Sequence, residues 1–218
     1  MDAVNRQVEA LFQRDSAVEK GLEKESRSAY LQSSYIDKWA GFPLYQNTQT
    51  KYYSCGEEMF PDMLEALRGA KHFIFLEYFI IEEGYMFNTI LDILEEKAKA
   101  GVDVRFIYDD VGSINSISFG YYKKLQERGI PCVTFNPFKP LISVVMNNRD
   151  HRKIFVVDGY IGFTGGINLA DEYINKVKRF GYWKDTGVRI EGEAVWSLTA
   201  MFLDCLLYTS PSPRDVEE

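Results

Sequence analysis

Between Asn147 and Asn168 the chain reads NNRDHRKIFVVDGYIGFTGGIN. His151 and Lys153 form an H-x-K pair there. Asp158 follows after four residues, and six more lead to Gly165, Gly166 and Asn168 in a G-G-x-N. Two residues apart on an extended chain, an imidazole and an ammonium share one face. The pairing suits a phosphoryl group: the imidazole can attack phosphorus, and the ammonium can hold the non-bridging oxygens. Gly165 and Gly166 let backbone approach a phosphate closely. Asn168 adds a neutral side-chain donor.

Asp158 lies an odd number of residues from His151 and so leaves the shared face. It falls in an Asp-Gly between two apolar runs, which predicts a hairpin turn. It belongs to the motif by position, but its chemistry reads as structural, bonding backbone or a nearby cation. The imidazole still needs an acceptor that sets its tautomer and stabilises the cation formed. Asp185, opening the next predicted strand, is the candidate. His72 precedes an apolar strand, has no lysine two residues on, and reads as a strand-start residue. Glu77, inside that strand, reads either as a paired strand carboxylate or as a substrate contact. Asp109 and Asp110 end a predicted parallel strand, where α/β sites gather. Two adjacent acids there read as loop caps rather than a metal site, and no cofactor is expected.

The elements that must hold these residues alternate. Helices are predicted over 57–68, 86–100 and 119–128, with Gly101 and Gly129 as stops. Strands are predicted over 73–81, 102–108 and 131–135. Further strands cover 153–157, 160–164 and 185–190, and a helix covers 194–206. This is an α/β pattern, predicting a mixed, mostly parallel sheet flanked by helices. Residues 2–30 carry apolar positions at helical spacing. Residues 31–57 are rich in Tyr, Gln, Asn and Thr, with Gly41 and Pro43 as breakers. The expected division is a helical or irregular lead-in over 1–44, one domain over 45–205, and a disordered tail over 206–218. That tail, LLYTSPSPRDVEE, resembles translated adapter sequence more than a protein terminus.

The 218 residues carry a net charge of −7 and a pI near 5.0. That counts against a general nucleic-acid binder, and it opposes attachment to anionic lipid, so membrane attachment is expected to be weak. No apolar run reaches the roughly 20 residues of a membrane span. The early acids and the missing apolar core at the N-terminus exclude a signal peptide. Cys55, Cys132 and Cys205 are far apart, without C-x-x-C, which fits neither a disulfide framework nor a zinc site.

The motif matches the signature of the phospholipase D superfamily. Together with FIFLEYFIIEEG, GVDVRFIYDDVGS, FNPF, FTGGINLADEYIN and WKDTGVRIEG, it resembles bacterial cardiolipin synthases over about residues 45–204. The resemblance implies phosphatidyl transfer without a metal or organic cofactor. One phosphatidylglycerol forms a phosphatidyl-histidine and releases glycerol, and a second attacks to give cardiolipin. His151, Lys153 and Asn168 carry over as phosphate-site residues, and Asp185 as the acid that orients the histidine.

The family usually has two hydrophobic N-terminal helices and two H-x-K motifs. This chain has neither the helices nor the second motif, and looks like a first catalytic half, inactive alone. The implied partners are an anionic phospholipid and either the other half or a second copy of this chain, with no nucleic acid. The implied setting is the cytoplasmic face of the bacterial membrane. Two alternatives stand beside this reading: a single-motif homodimeric phosphodiesterase or nuclease, and a non-catalytic phospholipid-binding domain.

Overall fold

The computed structural model describes residue 12, residues 14–138 and residues 148–209. Two helices lead in. Asp15 caps α1 (Ser16–Glu25) by accepting from Ala17 N–H. Ser26 caps α2 (Arg27–Ala40) by accepting from Ala29 N–H, and Gly41 ends it in the left-handed conformation. Neither helix buries a residue. The stretch over 31–57, for which no element was predicted, holds most of α2 and the edge strand β1 (Thr48–Tyr53). Both were hard to read, because α2 turns no face to the core and β1 buries only Tyr53.

The rest follows the predicted alternation: α3 (Gly56–Gly69), β2 (Phe73–Tyr78), α4 (Tyr85–Lys99), β3 (Asp103–Asp109), α5 (Tyr121–Glu127) and β4 (Cys132–Phe135). Then come β5 (Ile154–Val157), β6 (Ile161–Gly165), a 3-10 turn (Asp171–Ile174), β7 (Gly187–Gly192) and α6 (Val195–Thr209). The helix α6 runs past the boundary expected at 205, and residues 210–218 lie outside the described residues. The predicted loop after Pro137 falls largely on 139–147, also outside them.

One seven-stranded sheet has the order β1-β7-β6-β5-β2-β3-β4. Only β2–β3 and β3–β4 are parallel. The pairs β1–β7, β7–β6, β6–β5 and β5–β2 are antiparallel. The class is α/β as expected, but "mostly parallel" is corrected to mostly antiparallel. The cause is the Asp158-Gly159 hairpin: it folds β6 back on β5, and β7 then returns beside β6 without a crossover helix.

Alternation along β2 and β5 buries both faces of the sheet. Ile74, Leu76, Tyr78, Phe155 and Val157 join the larger core with α3, α4 and α5. Phe75, Ile154 and Val156 meet Val195, Leu198, Phe202 and Cys205 of α6. Phe75 and Phe202 stack with centroids 4.7 Å apart. Truncating Phe202 to Ala should cost about 3–5 kcal/mol.

The antiparallel run has a consequence for function. It brings the end of β2, the start of β5, the end of β6 and the start of β7 to one sheet edge. His151, Lys153, Asn168 and Asp185 lie on the connections at that edge.

Candidate active site

Residues 148–153 are irregular, and β5 begins only at Ile154. The H-x-K pair nonetheless meets as a strand would place it. Lys153 Nζ lies 3.1 Å from His151 Nδ1 and donates to His151 O at 2.6 Å. His151 is exposed and Lys153 is buried. Phe79, one residue past β2, lies against the imidazole at 4.0 Å between centroids, and Lys153 Nζ sits 5.3 Å from the same ring. Burial pulls the Lys153 ammonium below its usual range, against the pull of Asp150 and Asp185. An open depression of about 490 Å³ is lined by Phe135, Arg149, Asp150, His151 and Arg152.

An ammonium can only donate, so with Lys153 charged the facing Nδ1 accepts and the ring proton sits on Nε2. That tautomer cannot attack through Nε2. A transfer of the Lys153 ammonium to a substrate oxygen would release Nδ1 to carry the proton.

Asp185 Oδ1 accepts from Thr186 N–H at 2.8 Å. A Cβ on Gly166 would fall 2.0 Å from that oxygen, and one on Gly165 (φ +144°) would fall 2.4 Å from Thr186 O. The close approach these glycines permit is thus by the Asp185–Thr186 segment itself. Asn168, 2% exposed, accepts from Ile80 N–H at 2.9 Å and donates to Tyr173 Oη at 2.8 Å. It ties the end of β2 to the segment after β6.

Asp158 sits in the β5–β6 turn with φ +53°. Its carboxylate accepts from the N–H groups of Lys71, His72 and Phe73 at 2.7–2.9 Å. Burial alone would raise its pKa, but the bonds from Phe73, Lys71 and His72 outweigh it and hold the carboxyl below its usual range. His72 is exposed and enters this arrangement through its backbone.

Glu77 is 1% exposed, so its carboxyl is closed to solvent rather than open to a substrate. Arg152 Nε lies 2.8 Å from Glu77 Oε1 and 2.9 Å from Asp150 Oδ1, but its N–H is aligned on Asp150. Cys205 Sγ of α6 donates to Asp150 Oδ2 at 3.5 Å. Burial, then the Asp150 carboxylate, push Glu77 up to about 9. Asp150 moves the other way: the Glu77 carboxyl and the Arg152 guanidinium beside it overcome its burial. Burial and the neighbouring Asp150 carboxylate thus favour the protonated form of Glu77. Glu77, Asp150 and Cys205 also form the one compact grouping of metal-ligand types among the described residues. The Arg152 guanidinium already faces both carboxylates.

Asp109 is the loop cap expected from the sequence, but its hold on the segment before His151 was missed. Buried, it accepts from Gly112 N–H at 2.8 Å, Arg149 Nη1 at 3.2 Å and Asp150 N–H at 2.9 Å. It caps its own loop and also pins the segment that carries His151. Asp110 accepts from Phe138 N–H at 2.7 Å. Phe79 was missed too; its place at the end of a central strand was the available signal.

This sheet, with the H-x-K segment on its edge, is the fold of phospholipase-D-like domains. It superposes on Nuc from Salmonella typhimurium, a phospholipase D family member, with a TM-score of 0.55 and 19% identity, over 76% of this chain and 96% of that one. The family described as "Cardiolipin synthase, PLD-like domain" matches residues 63–182. The cardiolipin synthase of Alkalihalophilus pseudofirmus is 45% identical over 74% of this chain and 32% of its own length. Cardiolipin synthase 2 of Staphylococcus epidermidis is 39% identical over 97% of this chain and 42% of its own length. The chain belongs to the cardiolipin synthase family of phospholipase-D-like domains. It spans less than half the length of these curated relatives.

Proposed function

We propose that this chain is the first catalytic half of a cardiolipin-synthase-type phosphatidyltransferase. The observation that carries the reading is the exposed His151 imidazole, backed by Phe79 and touched by the buried Lys153 ammonium. In the proposed reaction, Lys153 shifts to a non-bridging oxygen of phosphatidylglycerol, and the ring proton passes through solvent from Nε2 to the freed Nδ1. His151 Nε2 then attacks phosphorus, the bond from phosphorus to the glycerol oxygen breaks, and the leaving alkoxide takes a proton from a donor on the far side. A hydroxyl of a second phosphatidylglycerol then attacks, the P–N bond breaks, and that hydroxyl's proton passes to the same far-side group. Asp185 supports the imidazolium while it exists.

The far-side donor is not supplied by this chain's other imidazole, since His72 sits at the opposite end of β2. It comes from a second half or a second copy of the chain. The setting is the cytoplasmic membrane face, with anionic phospholipid as substrate. The test supplies the complementing half, labelled phosphatidylglycerol in micelles, and acid quenching. A labelled phosphatidyl-protein that His151→Ala abolishes is expected. Cardiolipin formation that survives His151→Ala would overturn the reading.

A further inference from the structure

One segment of this acidic chain has the opposite character. Residues 175–184, NKVKRFGYWK, join the 3-10 turn to β7 and hold four cations and no acid, in a chain of net charge −7. Residues 176–182 are all exposed. They include three large side chains that water would normally exclude: Val177 at 47%, Phe180 at 72% and Tyr182 at 65% exposure.

The base of the loop is fixed. Asn175 donates to Trp183 O and to Glu57 Oε1, both at 2.8 Å, and accepts from Trp183 N–H at 2.7 Å. Trp183 packs against Tyr173 at 5.3 Å and Phe180 at 5.8 Å. Tyr173 in turn takes the hydrogen bond from Asn168, and Lys184 directly precedes Asp185. The loop therefore rises from the rim of the candidate site. Arg179 is neutralised by Glu82 and Glu172, and Lys176 lies over the Tyr85 ring at 4.6 Å. Lys178 and Lys184 are exposed and make no ion pair among the described residues.

We propose that this loop is a docking surface for an anionic phospholipid bilayer. Val177, Phe180 and Tyr182 enter the interface, and Lys178 and Lys184 meet headgroup phosphates. Apolar side chains interleaved with basic ones are the chemistry of interfacial segments. Net charge does not oppose it, because charges beyond about 8–10 Å are screened at physiological salt. Within that range Glu57, Glu82 and Glu172 sit at the loop's base, engaged by Asn175 and Arg179, so Lys178 and Lys184 are the cations left to meet a headgroup. A single-stranded polynucleotide, whose bases could stack on Phe180 and Tyr182, is the competing occupant; Val177, set between Lys176 and Lys178, favours the bilayer. The inference deepens the proposed function, resting on it for the claim that the site beside the loop takes a lipid.

The test is sedimentation of the 218-residue chain with vesicles of phosphatidylcholine, with and without phosphatidylglycerol. Binding is expected only with phosphatidylglycerol, and it should fall as salt rises. Lys178→Gln with Lys184→Gln should weaken partitioning at least about tenfold, and Phe180→Ser by a similar factor. Val177→Ser is the second apolar variant, and circular dichroism checks that each keeps its fold. Equal binding by variants and parent would overturn the proposal and transfer the role to another face, such as α2 with its exposed Tyr35 and Trp39. So would equal binding to phosphatidylcholine alone, or tighter binding of a single-stranded oligonucleotide through the same lysines. Burial of the loop between copies would also overturn it, read as protection of Lys178 and Lys184 from acylation in lipid-free protein. Vesicle binding that needs the loop, with no phosphatidyl transfer by the complemented enzyme, would leave docking intact and sink the function. Transfer with loop-independent binding would do the reverse.

Discussion

Lys153 Nζ stands 3.1 Å from His151 Nδ1, on the ring nitrogen that must be freed if Nε2 is to attack. The ammonium thus has two stations, the imidazole at rest and a phosphoryl oxygen in the complex. In a complemented enzyme, His151→Ala should cost several orders of magnitude in rate while the fold survives. Lys153→Ala should come close to it. Lys153→Arg should also be poor, because a planar fork does not reproduce a compact ammonium. Rates in micelles and thermal midpoints measure both effects.

Asp185→Asn should slow the transfer by orders of magnitude with little change in stability. The corresponding change in a serine protease costs about 10⁴-fold. Its backbone bond from Thr186 N–H can pass to the amide oxygen. A full-speed Asp185→Asn enzyme would transfer the supporting role to another acid.

Glu77 sets a pH dependence. Its folded pKa, near 9, lies above its unfolded value. The folded state therefore holds a proton that the unfolded state releases, and this contribution is fully present below the unfolded pKa. It is lost as pH rises toward 9, at no more than about 1.4 kcal/mol per pH unit. Glu77→Gln, which mimics the protonated carboxyl, should gain on the parent between pH 5.5 and pH 8.5. Denaturant unfolding at about those two pH values measures it. A constant difference would show that Glu77 is ionised in the folded protein.

Asp158 should behave as a structural residue. Removing a carboxylate that satisfies three backbone N–H groups should cost about 2–3 kcal/mol. Its folded pKa is depressed, so its contribution is present above the unfolded pKa and lost as pH falls through the folded one. Asp158→Ala should therefore lower the thermal midpoint at neutral pH, and the deficit should shrink in acid.

The chain alone should not make cardiolipin as a monomer, for want of a second imidazole in the site. Any residual activity should rise steeply with protein concentration, and chelator should not abolish it. Analytical ultracentrifugation beside the micelle assay separates the cases.

Much of this was legible in the residues. The H-x-K spacing predicted that His151 and Lys153 would meet, and the Asp158-Gly159 pair predicted the hairpin. That hairpin made the β5–β6 direction legible, but those of β5 against β2 and β7 against β6 were not, because their connections carry no hairpin signal. Neither was Asp109's grip on Asp150 N–H, which joins residues 41 apart. Helix α2 stayed hidden because its caps, rather than a buried stripe, define it. Total charge concealed the basic loop, since a sum over 218 residues has no spatial content.

The segment from Asp150 to Lys153 sends alternate side chains to opposite sides. His151 and Lys153 meet Phe79, while Asp150 and Arg152 meet Glu77 and Cys205. A saturating mutational scan across it should therefore oscillate with a period of two. Odd positions would yield abundant but inert protein. Even positions would yield scarce protein whose surviving molecules still react, so that adjacent codons in one short stretch would be under different kinds of selection.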